Sequence, residues 1–236
     1  MVDATARRQV AKYLEKHESD VGRYLRERAV ESIYMPRAPE HAVPANAVPE
    51  LYDFVASTIG NRAIVYLEFG VHHGRSIKRI AERFPHPEAR FFGFDSFQGL
   101  PEAWQGRTPG AFSTLGEKPP MSDGRIGLVE GWFQNTVPEF LAGLSVHDAP
   151  VLIHFDADLY SSTLFLLTTL WHHIPQYFFI FDEFMSDEIV ALHDFWRAYP
   201  MALEFHSQTN AGGYPAQIFG SLRKVRFEPG QFNSPV

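Results

Sequence analysis

Short apolar runs alternate with amphipathic helices from residue 63 onward, and this alternation limits the fold more than any other feature of the chain. Continuous apolar runs rich in branched and aromatic residues are typical of strands that are buried on both faces. When helices separate such strands, right-handed crossovers build a parallel sheet with helices on both sides. We therefore predict an α/β fold with a doubly wound, Rossmann-like, seven-stranded sheet, mostly parallel, whose last strand is antiparallel. The predicted strands cover residues 63–69, 90–95, 126–129, 151–155, 177–181, 202–207 and 216–222.

A long amphipathic helix is predicted near the start of the chain, over residues 6–33. Its apolar side chains fall on one stripe, while Arg, Lys and Glu occupy the opposite face. The stripe consists of Val10, Tyr13, Leu14, His17, Val21, Tyr24 and Leu25. We expect this helix to pack on the main domain or on another subunit, and the second arrangement suggests a homodimer.

A proline-containing stretch and a second helix follow. Residues 34–46 are predicted to form a linker. Residues 48–59 are predicted to form a short helix that Gly60 ends. The chain therefore divides into an N-terminal helical extension over residues 1–60 and one α/β domain over residues 61–236.

Glycine and acidic residues follow the first two predicted strands, and ligands of doubly wound sheets bind beyond these strand ends. Gly70 allows a tight turn, and Gly74 lets backbone approach a ligand closely. The helix that begins near Ser76 offers free N–H groups to an anion. Asp95 lies 25 residues after Gly70, where an acidic residue can accept both hydroxyls of a ribose. With Glu68 as a further acceptor, these residues favour a ribose-bearing ligand over an ordinary turn, without choosing the cofactor.

Three carboxylates follow the fourth and fifth predicted strands, which we expect to be neighbours. Asp156, Asp182 and Glu183 would then meet at one rim and raise one another's pKa. A hard divalent ion such as Mg²⁺ would relieve that repulsion and suits oxygen ligands. We predict a metal site on these three residues. The alternative is that Asp158 and Asp182 cap the helices that follow them.

Composition excludes several classes of function. The formal net charge is −7, with scattered Lys and Arg, so neither a nucleic acid nor an anionic membrane surface is an expected partner. The absence of cysteine excludes disulfides, a thiolate nucleophile and Cys-based metal sites. The N-terminus lacks the apolar centre of a secretory signal, and no apolar run approaches the ~20 residues of a membrane helix. We expect a cytoplasmic protein.

Residues 99–125 form a long irregular stretch between two predicted strands. Loops of this length inside a compact domain are usually functional or disordered. We predict a lid over the ligand site, and the alternative is a surface insertion.

Four strings of the sequence carry a family resemblance. They are YLEFGVHHGRS, FGFDSFQGLPEAW, LVEGWFQNTVPEFL and HFDADLYSST, between about Tyr66 and Phe184. In this order and at these separations they resemble the macrocin O-methyltransferase family of class I S-adenosylmethionine-dependent enzymes. That family methylates sugar hydroxyls on antibiotic-type natural products. The resemblance implies S-adenosylmethionine as cofactor and a small hydroxyl-bearing acceptor, such as a sugar.

The resemblance also implies roles for individual residues. The amino-acid end of the cofactor would lie on Glu68, Phe69, Gly70, Gly74 and Ser76. The ribose would lie on Asp95 with Ser96 and Phe97 beside it, the adenine near Gly131 and Trp132, and Asp156 would border the cofactor. Asp156 and Asp182 fall on metal-ligand positions. Glu183 departs from the family, which often has Asp or Asn there, and His72 replaces the middle glycine of the broader class.

A general base is expected because a sugar hydroxyl is a poor nucleophile at neutral pH. Asp156 is the first candidate, and His154, His72 and His73 are alternatives. A bound metal would lower the pKa of the hydroxyl. Competing functions are a methyltransferase-like enzyme with another reaction, as in cephalosporin-type hydroxylases, a non-catalytic cofactor-binding protein, and a nicotinamide-dependent dehydrogenase.

Overall fold

Eight strands form one sheet in the computed structural model, which describes residues 20–44, 46–146, 149–211 and 214–226. In chain order the strands are β1 (Ala42–Pro44), β2 (Val65–Phe69), β3 (Arg90–Asp95), β4 (Ile126–Glu130), β5 (Val151–Phe155), β6 (Gln176–Phe181), β7 (Met201–Ala211) and β8 (Tyr214–Lys224). Their order across the sheet is β1-β7-β8-β6-β5-β2-β3-β4. The last strand, β8, runs antiparallel to β6 and β7, and the other neighbouring pairs are parallel. The predicted fold class is confirmed, with eight strands in place of seven.

Helices connect the strands and cover both faces of the sheet. They are α1 (residues 20–29), α2 (Val48–Ile59), α3 (Arg75–Arg83), α4 (Phe133–Gly143), α5 (Tyr160–His173) and α6 (Ile189–Ala198). Short π-helical segments occur at Val30–Tyr34, between α1 and β1, and at Phe184–Glu188, directly before α6. As predicted, α2 ends at Gly60, whose φ of 80° few other residues adopt. No helix in the described ranges is long and apolar enough to cross a membrane.

The stretch predicted as a linker contains the additional strand. β1 pairs in parallel with residues 208–210 of β7. A three-residue strand is too short to show a periodic pattern, and Pro44 at its end argues against a strand. Proline is nevertheless tolerated here because β1 lies at the edge of the sheet, where one side of the strand needs no partner.

The core consists of two apolar layers, one on each face of the sheet. Successive residues of a strand point to opposite faces, so Tyr66 joins the layer under α2 and α3 while Leu67 joins the layer under α4, α5 and α6. β2 and β5 are buried along their whole length. These two central strands therefore hold their carboxyl ends in fixed positions.

The N-terminal extension is partly attached to this core. Ala29 and Ile33 are fully buried, but the described part of the predicted apolar stripe is exposed, with Val21 at 48%, Tyr24 at 58% and Leu25 at 42%. These three side chains do not pack on the main domain, contrary to one of the two predicted arrangements. The earlier stripe residues, Val10 to His17, lie outside the described residues.

Candidate functional site

A cavity of about 420 Å³ opens beyond the carboxyl ends of β2, β3, β4 and β5. Six residues predicted to contact a cofactor line it: Gly70, Asp95, Ser96, Gly131, Trp132 and Asp156. The other predicted cofactor residues, Glu68, Phe69, Gly74, Ser76 and Phe97, are not part of its lining. The chain thus brings the ends of four strands to one cavity, and the second group of residues supports its walls.

The turn after β2 requires glycine at its first position. Gly70 has a φ of 100°, and a Cβ there would lie 1.9 Å from the carbonyl oxygen of Asp156. The Gly70 N–H donates to the Phe94 carbonyl at 2.9 Å. Gly70 therefore lets the tip of β2 fit between the tips of β3 and β5.

Gly74 has a different role from the predicted one. Its φ is 68°, and a Cβ there would lie 2.6 Å from Cε of Met121. The space above Gly74 is thus filled by a residue of the loop between β3 and β4, so this glycine admits the loop and not a ligand.

Asp95 organises the turn as well as facing the cavity. One carboxylate oxygen accepts hydrogen bonds from the backbone N–H groups of Val71 at 2.9 Å and His72 at 2.8 Å, and the other accepts from that of Phe97 at 2.7 Å. A carboxylate offers about four acceptor sites. Since three are taken by backbone, Asp95 has about one left for a ribose, fewer than the expectation of two hydroxyls.

Glu68 lies beneath the turn in a buried polar network. One oxygen accepts from the Ser76 hydroxyl at 2.9 Å and the other from the Tyr66 hydroxyl. The Tyr66 oxygen also lies 2.9 Å from Nδ1 of His154. Glu68 and Ser76 therefore fix the start of α3 to β2, and their predicted contact with the cofactor has no support in the cavity lining.

His154 is fully buried between two carboxylates. Its Nδ1 lies 3.5 Å from Glu68 and its Nε2 lies 3.5 Å from Asp182. Burial alone would lower the pKa of His154, but Asp182 and Glu68 more than offset this and raise the pKa to about 10. The side chain is therefore cationic at neutral pH, and it does not line the cavity. The prediction of His154 as a catalytic base is corrected, because a buried imidazolium can neither reach an acceptor nor take its proton.

Two aspartates after β5 do line the cavity. Burial, with the charge of Asp182, raises the pKa of Asp156 well above its ordinary range. Burial, with the charges of Glu183 and Asp182, raises the pKa of Asp158 to about 7, although Arg107 acts in the opposite direction. Asp156 therefore holds its proton more tightly than an exposed aspartate does, while Asp158 is about half ionised at neutral pH.

Asp158 is the functional candidate that the sequence pattern did not single out. Its φ of 60° is unusual for a residue other than glycine. It does not cap α5, whose N-cap is Leu159 without a side-chain hydrogen bond. The alternative that Asp158 and Asp182 are helix caps is therefore wrong, and Asp182 instead contacts His154 and Gln217. The signal available in the sequence was the spacing of two aspartates, two positions apart, directly after a buried strand.

The predicted metal ligands do not assemble into a coordinating group. Within the described parts of the chain, no three acidic or imidazole side chains are arranged to hold a metal ion. Asp182 lies outside the lining of the cavity, whereas Asp156 and Glu183 are part of it. The donor set of Asp156, Asp182 and Glu183 thus does not fit a divalent ion, and Mg²⁺ stays a prediction without support from the geometry.

The loop between β3 and β4 forms one wall of the cavity. Leu100, Trp104, Arg107 and Phe112 all line it. The loop is folded on itself, because Leu100 and Ala111 are joined by a backbone hydrogen bond of 2.9 Å. This position is the one that the lid prediction requires.

Known proteins share this fold. No family model matches the chain. A demethylmenaquinone methyltransferase of Deinococcus radiodurans is 32% identical over 121 residues, which is 46% of this chain and 47% of the relative, about half of its length.

Three solved structures cover most of the chain. Calicheamicin methyltransferase CalS11 has a TM-score of 0.51 at 24% identity, over 75% of this chain and 79% of its own. The apo structure of CalS11, a TDP-rhamnose 3'-O-methyltransferase, has a TM-score of 0.50 at 22% identity, over 94% and 96%. The O-methyltransferase NovP has a TM-score of 0.50 at 18% identity, over 77% and 79%. The chain therefore has the fold of S-adenosylmethionine-dependent O-methyltransferases.

Proposed function

We propose that the chain is an S-adenosylmethionine-dependent O-methyltransferase that acts on a hydroxyl of a small acceptor, with a sugar as the favoured class. The observation that carries this proposal is the cavity where Gly70, Asp95 and Trp132 approach Asp156 and Asp158. One cavity thus contains residues that suit a ribose on one wall and two aspartates on another, in a chain with an O-methyltransferase fold. The sequence resemblance to macrocin O-methyltransferases supports the same assignment.

The cofactor is proposed to lie along the tips of β2, β3 and β4. Asp95 has a remaining acceptor site for a ribose hydroxyl, and Gly70 lines the cavity beside it, where the methionine part can lie. Trp132 is exposed and lines the cavity, so its ring can cover the adenine by stacking. In this proposed arrangement the sulfonium would lie near Gly70, which adjoins Asp156.

The acceptor is proposed to lie between the β3–β4 loop and the end of β5. Trp104 is buried, and its indole N–H has no hydrogen-bond partner in the described structure. An unsatisfied buried donor is costly, so an acceptor oxygen bound there would remove that cost. Trp104 and Phe112 also supply apolar ring surface beside the two aspartates, a combination that suits a sugar ring with several hydroxyls. The activity of CalS11 on a TDP-sugar is consistent with this class.

Asp158 is proposed as the general base, in preference to Asp156. As the acceptor oxygen attacks the methyl carbon, the carbon–sulfur bond breaks, the hydroxyl proton passes to Asp158, and S-adenosylhomocysteine leaves. A base with a pKa near 7 suits this step at neutral pH. Burial favours the protonated form of Asp156, and in that form it can donate a hydrogen bond to the acceptor. Alignment of the two substrates contributes on the order of 7–11 kcal/mol at best.

Calorimetry with S-adenosylhomocysteine and with NAD tests the cofactor. We expect only the first to bind, and Asp95→Asn to weaken its binding roughly tenfold to a hundredfold because a charged hydrogen-bond acceptor is lost. Asp53→Asn, an exposed carboxylate that pairs with Arg83, is the matched control and should bind normally. Tight binding of NAD alone would overturn the proposal.

Transfer of a labelled methyl group to a panel of nucleotide-linked and free sugars tests the reaction. We expect Asp158→Asn to lose transfer while S-adenosylhomocysteine still binds. A chain that binds the cofactor but methylates no hydroxyl compound would instead be a non-catalytic binding protein or an enzyme of another reaction.

A further inference from the structure

A tight turn in the β3–β4 loop holds two side chains on the same face. The backbone N–H of Arg107 donates to the Trp104 carbonyl at 2.8 Å, and that of Trp104 donates to the Arg107 carbonyl at 3.2 Å. Gln105 and Gly106, which lie between them, have φ of 45° and 79°, as is typical of the short turns that close antiparallel hairpins. Residues that exchange both hydrogen bonds lie directly opposite each other, with their side chains on one side. Trp104 and Arg107 therefore line the cavity together.

The hydrogen-bonding groups that this pair presents are all donors. The indole N–H of Trp104 is buried and has no partner in the described structure. Within the described ranges, the guanidinium of Arg107 forms no ion pair with a carboxylate. It lies over the ring of Phe112, 4.8 Å from the ring centroid. Because a guanidinium and an indole carry N–H donors and no acceptor, the ligand group that suits them has several acceptor oxygens and a negative charge.

The charged side chains of the cavity are divided between two walls. Arg107 is the only arginine or lysine among the described residues that line it, and it lies in the loop wall. The acidic lining residues are Asp95, Asp156, Asp158 and Glu183, at or just after the ends of β3, β5 and β6. The sulfonium cation of the proposed cofactor would lie on the acidic side. A negative charge is therefore better placed beside the loop, where it is attracted by Arg107 and lies away from the carboxylates.

We propose that Trp104 and Arg107 bind an anionic oxygen group of the acceptor, a phosphate or a carboxylate, and so select charged sugars over neutral ones. Arg107 is then a specificity-determining residue. Its planar guanidinium can bind two oxygens of such a group side by side, and the Trp104 N–H can bind a further one. The inference rests on the proposed function, since it concerns the acceptor of that reaction, but anion binding can be measured without methyl transfer.

Titration of the isotope-labelled full chain with pyrophosphate and with malonate, in the presence of S-adenosylhomocysteine, tests the anion site. The indole N–H signal of Trp104 in nuclear magnetic resonance spectra, identified by its loss in Trp104→Phe, reports on binding. We expect a saturable shift, with pyrophosphate indicating a phosphate ligand and malonate a carboxylate. Arg107→Met keeps the stem that packs on Phe112 and should raise the dissociation constant roughly tenfold to a hundredfold, because a charged donor is lost.

Arg62→Met is the matched control, because it removes the same charge from an exposed arginine near the start of β2, and it should bind the anions as the wild type does. No shift of the Trp104 signal with either anion, or an equal shift in Arg107→Met, would overturn the proposal.

Methyl transfer to pairs of acceptors separates this inference from the proposed function. The pairs are a sugar phosphate with its parent sugar and a uronate with its parent sugar. We expect kcat/KM to be roughly tenfold or more higher for the charged member of a methylated pair, and Arg107→Met to remove this preference. Equal kcat/KM values within each methylated pair would overturn the inference and leave the O-methyltransferase assignment intact. Anion binding at Arg107 without methylation of any hydroxyl compound would contradict the proposed function and not the anion site.

Discussion

At the scale of single residues, Gly70 is a position where a side chain would clash severely. A substitution there therefore tests the steric argument through the stability of the fold. An added Cβ would overlap the Asp156 carbonyl, and the positive φ adds strain. We expect Gly70→Ala to lower the free energy of unfolding by about 3 kcal/mol or more, measured by urea denaturation. Gly124→Ala is the control, because nothing lies within 4 Å of its added Cβ, and it should change stability by less than about 0.5 kcal/mol. Equal effects of the two substitutions would remove the steric argument.

The pH dependence of the reaction should follow Asp158. A base must be ionised to accept a proton, so kcat/KM is expected to rise with pH and level off above about 7. Asp158→Asn should abolish this rise, and Asp53→Asn should keep it. A profile that is flat between pH 5 and 9 in the wild type would exclude Asp158 as the base.

A rise in pH should increase kcat/KM through Asp158, but it should decrease the stability of the fold through the same residue. Its pKa in the folded chain, about 7, is raised above the ordinary value of 3.8, so the folded state holds this proton more tightly than the unfolded state does. Its favourable contribution is therefore present below the unfolded pKa and is lost as pH rises through about 7. The proposed general base thus destabilises the fold at neutral pH.

Sequence patterns predicted the residues that line the cavity at the ends of β2, β3 and β4 better than those at the end of β5. Gly70, Asp95 and Trp132 lie at or within two residues of strand ends, and parallel strands bring such positions to one edge. The burial of His154 could not be read from alternation, because β5 is covered on both faces and a period of two then separates no exposed side from a buried one. The orientation of Asp158 depends on a left-handed φ, which could not be predicted from the residue type.

At the scale of elements, the β3–β4 loop should respond to the cofactor. It lines the cavity through Trp104 and Phe112, and the Ser161 hydroxyl of α5 donates to Glu102 in the loop. We expect S-adenosylhomocysteine to slow limited proteolysis within residues 99–125, since binding at 100 times Kd adds about 2.7 kcal/mol to the stability of the bound state. Cleavage at the same rate with and without the compound would mean that the loop is no lid.

A matched pair of substitutions tests the hydrogen bond between the β3–β4 loop and α5. Glu102→Ala removes the acceptor of Ser161, so it should speed cleavage of the free protein. Glu117→Ala changes an exposed glutamate of the same loop, and it should leave the rate unchanged.

The limits of several elements were predictable and others were not. β3 and β5 begin and end where the apolar runs do. α4 runs from Phe133 to Gly143 and contains Pro138 in its interior, whereas local patterns associate proline with the first turn of a helix. Helices tolerate an internal proline only where packing offsets the lost hydrogen bond, and local patterns do not show such packing. The π-helical segment at Phe184–Glu188 likewise has no periodic signature.

At the scale of the whole molecule, the exposed side of α1 predicts self-association. Val21, Tyr24 and Leu25 place apolar surface together, and such patches often mark interaction sites. We expect sedimentation velocity to show a dimer, and the double substitution Val21→Glu and Leu25→Glu to give a monomer of normal melting temperature. Arg23→Glu, on an exposed residue of the same helix, should stay dimeric. A monomeric wild type at micromolar concentration would contradict the prediction.

The pairing of β1 with β7 has a consequence for how the chain is made. Each residue of β1 lies 166 positions before its partner in β7, as in Val43 and Thr209. At roughly 5–20 residues per second a ribosome needs on the order of ten seconds or more to cover that distance. Until then the segment around Val43 has no strand to join, although β2 and β3 are already present. During synthesis, β2 and β3 would therefore form before β1 can pair with β7. The amphipathic α1, which precedes β1, would then be accessible to chaperones.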